Sequence, residues 1–196
     1  MSQFSEIKNI DMTANPAPLG LAGFGLTTML LNIHNAGFFE LNTMIVAMGI
    51  FYGGIAQVIT GIMEWKKNNT FGTVAFSSYG FFWLSLVAIW LLPAGEKVKA
   101  SSPQSMAAYL GLWGLFSTFL FIATFKASRA LRVVFGLVVV LFLLLTLAYA
   151  FHGNEELSHT LHTMAGFEGI LCGFSALYTG MAQVINEMYK KTVLPL

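Results

Sequence analysis

Charge is what this sequence has least of. Of its 196 residues only 10% are Asp, Glu, Lys or Arg, against 56% hydrophobic, and the mean hydropathy is +0.71. A soluble domain carries about a quarter charged residues, so water is excluded as the solvent for most of this chain. Cysteine is nearly absent. The single Cys172 excludes an intrachain disulfide and falls in an apolar run, where it reads as a small packing residue. A net charge of +1 supplies no basic patch and argues against a nucleic-acid partner. Residues 1–14 are polar and mixed in charge, without the basic and apolar regions of a cleaved signal. The first apolar run is therefore expected to direct insertion. Nucleophile–base arrangements, phosphate loops and a His-Glu-x-x-His helix are also missing, so no enzyme is expected and nothing calls for a cofactor.

What is present is six long apolar runs, near Leu19–Asn35, Met44–Glu64, Phe71–Leu92, Met106–Phe125, Val133–Phe151 and Met164–Ile185. Each has the length of a bilayer-spanning helix, and none alternates as a barrel strand would. Six spans of roughly 20 residues occupy about 120 of the 196 and leave short loops. The reading is an all-α polytopic membrane protein: a cytoplasmic segment 1–14, a six-helix domain 15–189 and a tail 190–196. Turn chemistry marks the breaks at Asn35–Gly37, Lys66–Asn69, Pro93–Pro103, Lys126–Arg132 and His152–Thr160. Lys8, Lys66, Lys67, Lys126, Arg129, Arg132, Lys190 and Lys191 fall on one side, eight of the ten basic residues. That side is expected to be cytoplasmic, with both termini on it.

The spans differ in chemistry. Span 5 is nearly pure Leu, Val and Phe, as suits a wall. In span 2, Gly49, Gly53, Gln57, Thr60, Gly61 and Glu64 share one helix face. That face reads either as a permeation surface, with Gln57 supplying a donor, or as a close helix contact through its glycines. Gly54-Ile-Ala-Gln57-Val-Ile recurs in span 6 as Gly180-Met-Ala-Gln183-Val-Ile, which is either chance or a helix-pair repeat. Glu168 is a carboxylate inside span 6, one to two turns from its outer boundary. It is a candidate for gating or pH response, unless headgroup water reaches it. The outer loop holds His152, Glu155, Glu156, His159 and His162. It reads as a solvated loop, an acid sensor or a zinc pair; His159 and His162 are carried forward as pH-responsive, and no metal site is assigned.

Span 1 opens with Asn15-Pro16-Ala17-Pro18-Leu19-Gly20-Leu21, where proline starts a helix and Asn15 caps it. Span 3 carries Ser77-Ser78-Tyr79-Gly80-Phe81-Phe82-Trp83, hydroxyls beside large rings, as suits a narrow constriction. These two motifs resemble the acetate uptake transporter family, the YaaH-type permeases. The likeness continues through Gly23-Phe24-Gly25, Met48–Gln57, Asn69–Gly72, Tyr109–Gly114 and Thr192–Pro195, nearly the whole chain from Asn15 onward.

The resemblance implies a homo-hexamer in the cell (inner) membrane, embedded in lipid, each protomer with its own channel-like path for acetate, succinate and related small carboxylates. Phe24 and Tyr79 match the family's aromatic constriction. Val138 stands where a family leucine lies and widens the path, and Ala176 matches a position bearing on which monocarboxylates pass. Thr27, Thr28, Asn32, Gln57 and Tyr79 are the donors expected along the path, where no lysine or arginine would hold an anion tightly. The implied function is passive or proton-linked permeation of small carboxylates; the alternative is a neutral-solute channel of the urea type. The long acidic segment before span 6, and Glu168 where the bacterial pattern is apolar, depart from the family.

Overall fold

The computed structural model describes residues 13–92 and 94–196. Most of the expected N-terminal segment, with Lys8, lies outside the described residues, as does Pro93. Among the described residues the chain forms six long helices: α1 (Ala17–Asn35), α2 (Thr43–Lys66), α3 (Thr70–Leu91), α4 (Pro103–Lys126), α5 (Arg129–Ala150) and α6 (Glu155–Tyr189). Their starts follow from local chemistry. Asn42, Ser102, Ser128 and Asn154 each cap an orphan backbone N–H of the helix that follows, and Asn69 does the same for Gly72. At α1 the N-cap is Pro16, and the Asn15 carboxamide accepts from the N–H of Ala17 at 3.1 Å.

Successive helices run antiparallel. The end where α1, α3 and α5 begin is called the lower end, and it gathers Lys66, Lys67, Lys126, Arg129, Arg132, Lys190 and Lys191. Four helices, α2 to α5, are long and apolar enough to cross a membrane. The other two, α1 and α6, pack most closely of all and carry many of the buried polar groups and glycines.

Two expectations are corrected. The segment His152–Thr160 is not a loop throughout, because α6 already begins at Glu155. Asn154 caps it, and Glu155 and Glu156 sit in its first turn, where the helix dipole favours acid. His159 and His162 therefore stand on helix. The second correction is in α2, whose Gly49–Ala56 segment is π-helical. Its glycines meet neighbouring helices: a Cβ on Gly53 would lie 2.8 Å from the Thr27 methyl of α1 and 2.8 Å from the Trp83 ring of α3. Close packing, not a permeation surface, accounts for the glycine face of span 2.

Backbones approach closely at α1–α6, α1–α2, α2–α3, α4–α5 and α5–α6. By contrast, α3 meets α4 and α5 through rings. Phe82 stacks on Tyr109 with centroids 5.9 Å apart, Phe82 meets Phe142 at 5.3 Å, and Phe71 meets Phe135 at 5.2 Å. Two hydrogen bonds tie α3 to α4: Tyr79 to Ser117 at 2.8 Å and Ser85 to Tyr109 at 2.7 Å. In lipid such bonds contribute about 1 kcal/mol each. The bundle is thus dense on one side and ring-spaced on the other. The chain past α6 folds back: Asn186 Oδ1 accepts from the N–H groups of Val193 and Leu194, and its Nδ2 donates to the Leu194 carbonyl at 2.7 Å.

Candidate functional site: two cavities with a shared wall

Where rings keep α3 away from α4 and α5, two cavities open. The upper one, of about 610 Å³, is lined by Phe24, Thr28, Asn32 and His34 of α1, with Trp83, Val138, Tyr149, His159 and His162 among the others. The lower one, of about 110 Å³, is lined by Gln57, Asn69, Phe71, Tyr79, Ser128, Phe135, Thr179 and Gln183, again among others. Phe24 and Val138 belong to both walls. Tyr79 lies beside Phe24, ring centroids 5.7 Å apart. Those three side chains are the partition between the cavities.

The hydrogen-bond inventory decides what each polar group has left to offer. The Tyr79 hydroxyl pairs with Ser117, whose own hydroxyl donates to the Trp113 carbonyl at 2.7 Å. The phenolic proton is therefore committed to Ser117, and Tyr79 gives the cavity a ring face and no free donor. Thr27 bonds to the Met48 carbonyl and lines neither cavity. Asn32 donates to the Thr28 carbonyl at 2.9 Å and accepts from Asn35. Gln57 is fully buried, and its Nε2 donates to the Gly53 carbonyl at 2.7 Å within the π segment. What it retains is one amide N–H and an unpaired acceptor, Oε1.

Two buried donors in the upper wall have no protein partner: the Thr28 hydroxyl and the Trp83 indole Nε1. An unsatisfied buried polar group costs about 1–3 kcal/mol, so each would gain from an oxygen brought within reach of it. Reading Trp83 only as a bulky ring in an aromatic motif missed its N–H. Among the described residues no lysine or arginine lines either cavity. The two glutamines of the internal echo, Gln57 and Gln183, line the same lower cavity, and Gln183 Oε1 accepts from Asn15 Nδ2 at 2.8 Å. Ala176 is fully buried and lines neither cavity.

Glu168 stands apart from both cavities, and neither of its buried carboxylate oxygens has a partner. His162, nearer the start of α6, packs edge-on against Tyr149 with centroids 5.0 Å apart. Burial holds its imidazole below the ordinary histidine range; a bond with the Ser158 backbone opposes this, and His159 and His34 reinforce it. Neutral His162 therefore persists to lower pH than a free imidazole. Its stabilising contribution is lost as pH falls through that lowered value.

The sequence matches the GPR1/FUN34/yaaH family over residues 4–195. It is similar to the succinate-acetate/proton symporter SatP of Escherichia coli, 52% identical over 93% of this chain and 95% of that protein. It is also similar to acetate permease A of Emericella nidulans, 31% identical over 93% of this chain and 65% of that protein. Among solved structures, that of the bacterial acetate channel SatP superposes with a TM-score of 0.88 at 52% identity, covering 94% of this chain and 99% of the other.

Proposed function

The chain belongs to the GPR1/FUN34/yaaH family, and on that premise we propose that it conducts acetate and related small carboxylates, succinate among them, across the cytoplasmic membrane. The observation that carries the reading is the partition: two cavities that share Phe24 and Val138 as wall, with Tyr79 of the lower cavity packed against Phe24. A carboxylate enters the upper cavity and exchanges water for the Thr28 hydroxyl and the Trp83 N–H, the two donors the protein leaves unpaired. It then passes an apolar step that a hydrated inorganic ion cannot cross without losing its shell. With no fixed cation along the way, binding stays weak enough for release. The Gln57 acceptor below the partition favours a solute that brings its own proton, which fits the proton linkage named for the Escherichia coli relative.

In this reading all six helices span the bilayer, α1 and α6 as well as the apolar four. Both termini lie with the basic residues on the cytoplasmic side. Six protomers assemble, each with its own path. Labelled-acetate influx into proteoliposomes tests the function. Wild-type protein is expected to admit acetate, and Thr28→Val and Trp83→Phe each to lower the rate about tenfold, the low end of what a hydrogen bond to a charged group contributes, about 1.5–3 kcal/mol. No protein-dependent acetate influx would remove the proposal; urea swelling accelerated in its place would point to the neutral-solute alternative.

Glu168 is assigned a gating contribution. An unpaired carboxylate among apolar neighbours is costly when charged, which couples its protonation to the seating of α6. Glu168→Gln is expected to shift the midpoint of the flux–pH profile and to leave acetate-over-chloride selectivity unchanged, because the carboxyl lines neither cavity. An unmoved midpoint returns Glu168 to packing.

A further inference from the structure

The upper cavity ends in three imidazoles. His34, at the last turn of α1, and His159 and His162, near the start of α6, line one mouth, and sequence reading passed over His34. The other ionisable groups on that wall are Glu40, from the segment after α1, and Tyr149 of α5. Glu155 and Glu156 lie one turn ahead of His159 on its own helix, exposed and outside the cavity wall. Among the described residues no lysine or arginine lines the cavity. With neutral imidazoles this mouth carries only the Glu40 charge and repels an anion; with charged imidazoles it becomes positive. Imidazole is the side chain that makes this change between about pH 5 and 8.

Geometry sharpens the contrast at His34. Its Nδ1 lies 2.8 Å from the Phe39 carbonyl, and a carbonyl only accepts, so Nδ1 keeps its hydrogen. In the neutral ring Nε2 is then a lone pair; in the charged ring it is a donor. Proton uptake thus converts this atom from one that rejects a carboxylate to one that binds it.

We propose that His34, His159 and His162 form a carboxylate-capture site at the upper mouth, loaded when the water outside is acidic. The site rests on the permeation path above and sets when that path fills. The charged site raises the local anion concentration at the mouth.

Acetate current across planar bilayers tests this, because uncharged acetic acid carries none. The acetate anion concentration is held constant while pH on the upper side is moved from 7.5 to 5.5. Wild-type current is expected to rise roughly tenfold, the low end of the range by which charged clefts raise encounter rates. The His34→Gln, His159→Gln, His162→Gln triple variant is expected to lose most of that rise. His159→Gln alone, at an exposed position, is expected to lose part of it. Glu40→Gln, also exposed, is expected to raise the current at pH 7.5. A full rise in both histidine variants overturns the site, as does an unchanged Glu40→Gln current. Absence of acetate current in the wild type at every pH overturns the site, and labelled-acetate influx into proteoliposomes, read separately, decides the permeation reading on which it rests.

Discussion

Removing the Phe24 ring by Phe24→Ala is expected to merge the two cavities and raise carboxylate flux by roughly tenfold, about 1.4 kcal/mol off the barrier. The ring forms part of both cavity walls, so its loss opens one continuous space. Selectivity is expected to fall as well, since bulkier carboxylates and chloride no longer meet an apolar step. Tyr79→Ala is expected to do the same. Tyr79→Phe is the informative contrast. The Tyr79 hydroxyl is committed to Ser117, so deleting it should leave flux close to wild type. Loss of flux in Tyr79→Phe would mean that the hydroxyl serves the solute after all. Val138→Leu, which thickens the shared wall, is expected to slow flux. Parallel influx of labelled acetate and chloride for these variants checks all of it, and wild-type rates in both alanine variants would dismiss the partition.

Much of this arrangement is legible in the sequence because lipid imposes simple rules on it. Long apolar runs place the helices to within a few residues, and the positions of Lys and Arg sort their ends. What escaped reading is instructive. An α-helix and a π-helix present the same composition, so Gly49–Ala56 could not be told apart before its neighbours were known. The early start of α6 did leave a signal, Asn154-Glu155-Glu156, a cap followed by acids suited to a helix N-terminus; the charges obscured it by resembling a loop. Gln57 and Tyr79 were read as donors because side-chain type says what a group can do. Only the partners, the Gly53 carbonyl and Ser117, say what it has left. Trp83 and His34 were missed for the opposite reason. Each looked like filler within a helix, and only a shared cavity wall singles them out.

The partition also depends on how closely α1 approaches α6, and the second large effect is expected there. A Cβ on Gly25 would lie 2.6 Å from the Gly173 carbonyl oxygen and 2.8 Å from the Leu177 nitrogen. One on Gly173 would lie 2.6 Å from the Gly25 carbonyl oxygen and 2.8 Å from the Met29 nitrogen. These are backbone atoms, so no side chain can swing aside, and the helices must separate. In lipid, close backbone packing of this kind is a main source of helix association, and overpacking costs about 1–3 kcal/mol per site or more. Gly25→Val and Gly173→Val are expected to yield no folded protein, and the alanine variants to melt several degrees lower. Gly25 also adjoins Phe24, so any surviving Gly25→Ala protein should leak chloride as Phe24→Ala does. Gly111, on α4, supplies the control: its nearest neighbour would be the Thr146 methyl at 3.5 Å, an ordinary contact. There alanine gains helix propensity of up to about 1 kcal/mol over glycine, so Gly111→Ala is expected to be neutral or stabilising. Thermal unfolding followed by size-exclusion in detergent reads the two signs directly. Equal, harmless behaviour at Gly25, Gly173 and Gly111 would mean that α1 and α6 are not held at this distance, and the partition between the cavities would lose its support.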